Sequence, residues 1–157
     1  MFYKQAEIMR KLIFTNIVAL SLLFLLAPQA MAERSDEFGD YQVHYNALTT
    51  DLIEPSVARA YGIIRSKNRA LINIAILRKV MGTPAQPVRA VVKVEAVNMS
   101  AQLRSIDMRE LSDAGAIYYI GEFPVTNREN LTFKFEVTLE GMTTTHSGSF
   151  KQEFYTE

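Results

Sequence analysis

The ten residues LTFKFEVTLE, Leu131–Glu140, decide the architecture. Leu131, Phe133, Phe135, Val137 and Leu139 fall on one face; Thr132, Lys134, Glu136, Thr138 and Glu140 fall on the other. Alternation with a period of two is the signature of a strand with one buried and one wet face. Burying five such apolar side chains contributes on the order of 10 kcal/mol, an upper bound before chain entropy is counted.

The flanking chain repeats the theme. Upstream, Val88–Asn98 sets Val92, Val94 and Ala96 against Lys93, Glu95 and Val97, and downstream His146–Tyr155 follows a turn at Gly141. Leu103–Leu111 and Ala116–Phe123 read as neighbouring strands joined through Ser112–Gly115. Ala70–Leu77 is largely apolar on both faces, with Ile72, Ile74 and Ile76 on one and Leu71, Asn73, Ala75 and Leu77 on the other, which predicts a central place in a sheet. Tyr41–Ala47 alternates Tyr41, Val43 and Tyr45 with Gln42, His44 and Asn46, after a charged leader (Glu33–Glu37) and a Gly39-Asp40 turn. Pro55 opens one or two helical turns over Ser56–Tyr61, closed by Gly62. About seven short strands with turn signals between them predict an all-β domain over 33–157, an immunoglobulin-like antiparallel β-sandwich, with a small barrel as the alternative.

The N-terminus reads as an export signal covering 1–32. Arg10 and Lys11 precede the uncharged run Leu12–Ala27, Pro28 interrupts it, and Ala30-Met31-Ala32 has the small-x-small form of a cleavage site. Sixteen residues of helix span roughly 24 Å, short of the roughly 30 Å hydrocarbon core. Cleavage is expected after Ala32, and Met9 is an alternative start. A retained anchor helix is the competing reading. The expected destination is the periplasm.

Charge and cysteine content exclude several chemistries. The 17 basic and 17 acidic residues cancel, and beyond residue 32 the balance is 14 to 16. Such a domain lacks the electrostatic footprint of general nucleic-acid binding. With no cysteine in the chain, thiol catalysis, disulfides and cysteine-ligated metal are ruled out. The seven glycines stand apart as turn residues and form no phosphate loop.

Three polar features remain. In Arg65-Ser66-Lys67-Asn68-Arg69, three cations lie within five residues, where they repel one another unless acids or a ligand sit nearby. One reading is a dock for an anion or carboxylate, such as a partner's C-terminus. The other is an internal network in which Arg65 or Arg69 pairs with acids such as Asp40 or Glu122. The two histidines, His44 and His146, could join Asp40 in a metal or hydrolytic site only if the fold brings the three together; their spacing forms no motif. Tyr41, Tyr45, Tyr61, Tyr118 and Tyr119 could line a recognition surface or simply pack a sheet.

The segments FGDYQVHYNAL (Phe38–Leu48), VARAYGIIRSKNRALINIAIL (Val57–Leu77), AIYYIGEFPV (Ala116–Val125) and FKQEFY (Phe150–Tyr155) resemble a family of short exported proteobacterial proteins, the domain-of-unknown-function family four-four-two-six. The resemblance covers essentially the whole chain after the signal. It implies a signal-bearing periplasmic protein and brings no activity, cofactor or catalytic residue. The residues thus point first to a non-enzymatic module that binds another envelope protein or peptide through Arg65–Arg69, with no cofactor, no nucleic acid and no membrane span once the signal is removed. A small hydrolase or metal-dependent enzyme using His44, His146 and Asp40 is the alternative, and a purely structural or lipid-facing module is a third.

Overall fold

The computed structural model describes residues 34–157; the expected signal and its cleavage point lie outside them. Its elements are β1 (Arg34–Phe38), β2 (Tyr41–Thr49), a 3-10 turn (Thr50–Leu52), α1 (Pro55–Ala60), β3 (Arg69–Arg78), β4 (Gln86–Pro87), β5 (Ala90–Asn98), β6 (Leu103–Ile106), β7 (Arg109–Asp113), β8 (Ala116–Pro124), β9 (Glu129–Leu139) and β10 (Thr145–Phe154). They form two antiparallel sheets. One runs β1-β2-β3-β8-β7 with β4 against β3, and the other runs β10-β9-β5-β6.

The inner faces meet as the alternation requires. Val43, Ile72, Ile74 and Ile76 of the larger sheet pack on Val94, Phe133, Phe135 and Val137 of the smaller. Aromatic rings thicken the contact: Phe133 stacks on Phe150 with centroids 4.9 Å apart, and Tyr45 lies 5.0 Å from Phe135. β3 is central in its sheet, between β2 and β8, as its two apolar faces foretell. Its second face is used too. Leu71 and Ile120 point away from the core yet are buried, as is Ala58 of α1. The connection between β2 and β3 folds back over this outer face. Tyr61, at the end of α1, accepts from Arg109 Nη2 through its carbonyl (2.8 Å) and donates to Asp113 Oδ2 through its hydroxyl (2.7 Å) on β7. The helix itself starts on Glu54, whose carboxylate accepts from the Ser56 and Val57 amides.

The strand count of about seven needs correction, for three physical reasons. The charged leader expected to be loose is β1, in register with β2 from Arg34↔Tyr45 to Phe38↔Tyr41, because its alternate residues have uses on the inner side. Phe38 packs on Tyr41 at 5.4 Å, and Arg34 lies 5.5 Å from the Phe150 ring centroid. The single strand expected over 103–111 is two: β6 pairs with β5 in one sheet and β7 with β8 in the other, so the chain changes sheets at Asp107-Met108. A short pairing of Gln86 and Pro87 with the end of β3 adds β4.

Candidate functional site

The basic cluster lies in the β2–β3 connection, and a residue that sequence reading passed over organises it. Thr50 is fully buried. Its Oγ1 lies 2.8, 3.1 and 3.3 Å from the carbonyl oxygens of Ile64, Ser66 and Arg69, and it accepts from the Ser66 amide at 2.9 Å. One hydroxyl thus ties the start of the connection to its end. A hydroxyl can donate once and accept twice, so the three carbonyls share its proton. Ser66 Oγ accepts from the Asn68 amide at 3.1 Å, and Asn68 O accepts from the Val125 amide at 3.0 Å.

The three cations meet different fates. Arg65 Nη2 donates to the Asp51 carbonyl at 2.6 Å, which closes the loop on itself. Arg69 Nη2 donates to Glu122 Oε2 at 3.3 Å, and Glu122 Oε1 lies 3.7 Å from Arg109 Nη2, so one largely buried carboxylate is shared by two guanidinium groups. Lys67 is exposed and has no ion pair among the described residues. The same connection leaves Leu52 and Ile64 71% and 62% exposed, two apolar side chains that sequence reading did not single out. The pattern pairs a fixed backbone with an uncommitted cation and two wet apolar side chains.

The other candidates separate. His44 has the parity of the outer face of β2, opposite the buried Val43 and Ala47. His146 has the inward parity of Phe150 and Phe154 on β10, stacks on Phe38 at 4.4 Å, and holds Nε2 4.0 Å from Asp36 Oδ2. Asp40 sits in the β1–β2 turn, its carbonyl accepting from the Lys79 amide at 2.7 Å. The two histidines and Asp40 are therefore not brought together. Among the described residues no group of three or more histidine, aspartate or glutamate side chains is placed to hold a metal ion. The tyrosines divide as well. Tyr119 is buried, its oxygen accepting from the Ala90 amide (2.9 Å) and its proton directed to Glu110 (3.1 Å). Burial pushes its hydroxyl above the usual range, and hydrogen bonding to Asp113 does the same for Tyr61. Tyr41 and Tyr45 face the core side, and Tyr118 is exposed.

Fold and site together define a small two-sheet β domain carrying one pinned polar excursion. Residues 35–157 match the family described as a domain of unknown function, DUF4426, and the chain belongs to that family. A crystal structure of a DUF4426 family protein from Pseudomonas aeruginosa is 32% identical, covering 80% of this chain and 97% of that one, with a TM-score of 0.68. FetP from uropathogenic Escherichia coli strain F11, expressed in the periplasm, shares the fold at 10% identity, covering 79% of this chain and 94% of that one, with a TM-score of 0.56. A copper-bound variant of FetP superposes similarly, at 11% identity over 78% and 95% of the two chains, with a TM-score of 0.54. No curated protein matches. Among the described residues no helix is long and apolar enough to cross a membrane.

Proposed function

We propose that this protein is a non-enzymatic binding module of the cell envelope. In this reading an immunoglobulin-like sandwich, exported and cleaved after Ala32, receives a carboxylate-bearing segment of another envelope protein at the β2–β3 connection. The observation that carries it is Lys67, an exposed cation without an ion pair among the described residues, on a loop that Thr50 fastens and that also leaves Leu52 and Ile64 exposed. Because the backbone of the loop is already fixed, capture of an anion flanked by an apolar residue orders only the lysine side chain and not the loop that carries it. Arg65, Ser66, Asn68 and Arg69 then serve as the frame, through the Arg65, Ser66 and Arg69 side chains and the Asn68 backbone, which are bonded to the connection, to Val125 and to Glu122. The kinship in fold with FetP is compatible with a periplasmic life. The bound copper is a property of the FetP variant and does not enter this reading.

The test is affinity capture from periplasmic extract with wild type and with the Ile64→Asp, Lys67→Glu pair. Both residues are exposed, so the circular dichroism of the variant should match wild type while the captured partner is lost. Recovery of an identical set of partners by the variant would remove this surface from consideration.

A further inference from the structure

The smaller sheet has one edge that is unusually open. β10 is its outermost strand and runs for ten residues, against four for β6 at the other edge and five each for β1 and β7 at the edges of the larger sheet. Its pairing with β9 is unbroken from Thr145↔Thr138 to Phe154↔Glu129, so no bulge turns it away. Neither proline nor a central charge interrupts His146–Phe150. Short strands, bulges, prolines and charges are the usual protections of an exposed edge, and β10 lacks them through its middle.

Which backbone groups it offers follows from the ladder. Glu140 N donates to Arg89 O at 3.1 Å, one step beyond the Ala90↔Leu139 pair, so even-numbered residues of β9 bond to β5 and odd-numbered ones to β10. The even residues of β10 therefore face β9. The N–H and C=O groups of Thr145, Ser147, Ser149, Lys151 and Glu153 point out from the edge. Beside them lies a depression of about 650 Å³, lined by Lys93, Lys134, Glu136 and Ser149 on the outer side and reaching Asp36 and Phe135 at Gly148.

We propose that this edge pairs with β10 of a second copy of the chain, antiparallel about a two-fold axis at Ser149, making one continuous sheet. That register overlaps nearly the whole strand and forms roughly ten inter-chain backbone hydrogen bonds, all between odd-numbered residues. It also selects itself by charge. Lys151 of the second copy comes opposite Ser147, whose cross-strand neighbour is Glu136. Two strand spacings, roughly 10 Å, separate lysine and glutamate backbones, a span the two side chains bridge over the short serine. Shifting the axis one residue to Phe150 sets Lys151 beside Lys134 and Glu153 beside Glu136, which is repulsive. The surface is separate from the β2–β3 connection, so the two proposals stand or fall apart.

Sedimentation velocity over a micromolar concentration series tests it on the protein expressed from the full sequence. Wild type should dimerise. Lys151→Glu and Glu136→Lys should each weaken the dimer about tenfold or more, since each change is felt twice across the axis, and the double exchange Lys151→Glu with Glu136→Lys should restore it. Ser149→Pro removes a donor that faces away from β9, so it should leave the fold intact by circular dichroism and abolish the dimer. A monomeric wild type, a dimer indifferent to Ser149→Pro, or single reversals that the exchange fails to rescue would each overturn the proposal. An extended peptide that binds monomeric wild type but not Ser149→Pro would overturn it in favour of a foreign strand.

Discussion

The interior between the sheets and the β2–β3 connection hold their shapes by different means. Between the sheets, stability comes from many interchangeable apolar contacts, among them Phe133, Phe135, Ile72, Ile74 and Ile76, each essentially fully buried. No single contact sets the geometry, because burial is non-directional. In the connection a few directional bonds converge on one atom, Thr50 Oγ1, and the flanking residues stay wet. The first arrangement tolerates conservative change and is deaf to detail. The second is local, specific and vulnerable at one point, which suits a surface that must hold a side chain in one place.

Three substitutions probe that contrast, the most disruptive first. Phe135→Asp places an unpaired charge against Tyr45, Val94 and Gly148 and should unfold the domain, seen as loss of the far-ultraviolet β signal and of any cooperative melt. A folded variant would mean the interior is less closely packed than its burial indicates. Thr50→Val keeps the shape but leaves the Ile64, Ser66 and Arg69 carbonyls and the Ser66 amide without their partner, so it should cost about 1–3 kcal/mol. Hydrogen exchange should accelerate through 61–69 while β9 stays protected; uniform acceleration across both regions would mean that the connection and the interior do not hold independently.

The smallest effect is one of pH. Burial, and then the hydrogen bond to Asp36 Oδ1 at 3.1 Å, raise the Tyr45 hydroxyl above 10.0. The folded protein thus holds that proton more tightly than the unfolded chain. The associated stability is fully present below pH 10 and is lost as pH climbs through the raised value. Tyr45→Phe should flatten the alkaline fall in the urea midpoint between about pH 9 and 11 without abolishing it, because Tyr119 is raised by burial as well. An unchanged alkaline slope would show that Tyr45 is not held as the geometry implies.

Legibility followed the range of the forces. Wherever one strand face is buried, the period-two pattern marks it, so β2, β3, β5, β8, β9 and β10 appear at their places within a residue or two. The strand β1 carries no such mark because charged residues there meet partners from distant strands, as Arg34 Nη1 does in donating to Gln152 Oε1 at 3.0 Å. The break between β6 and β7 escaped because a strand that changes sheets keeps its alternation while changing neighbours. Thr50 carried no signal at all, since a threonine after a strand reads as an ordinary loop residue.

By itself the sequence determined the all-β class, the central position of β3, the short helix after Glu54 and the cation-rich character of 65–69, because each depends on residues adjacent in the chain. The tertiary structure alone decided that Arg65 and Arg69 are committed to partners within the domain while Lys67 has no ion pair among the described residues, that His44 and His146 look to different faces, and which edge of the smaller sheet lies open. Those outcomes depend on groups brought together from strands far apart in sequence, and a directional bond exists only once both ends are in place.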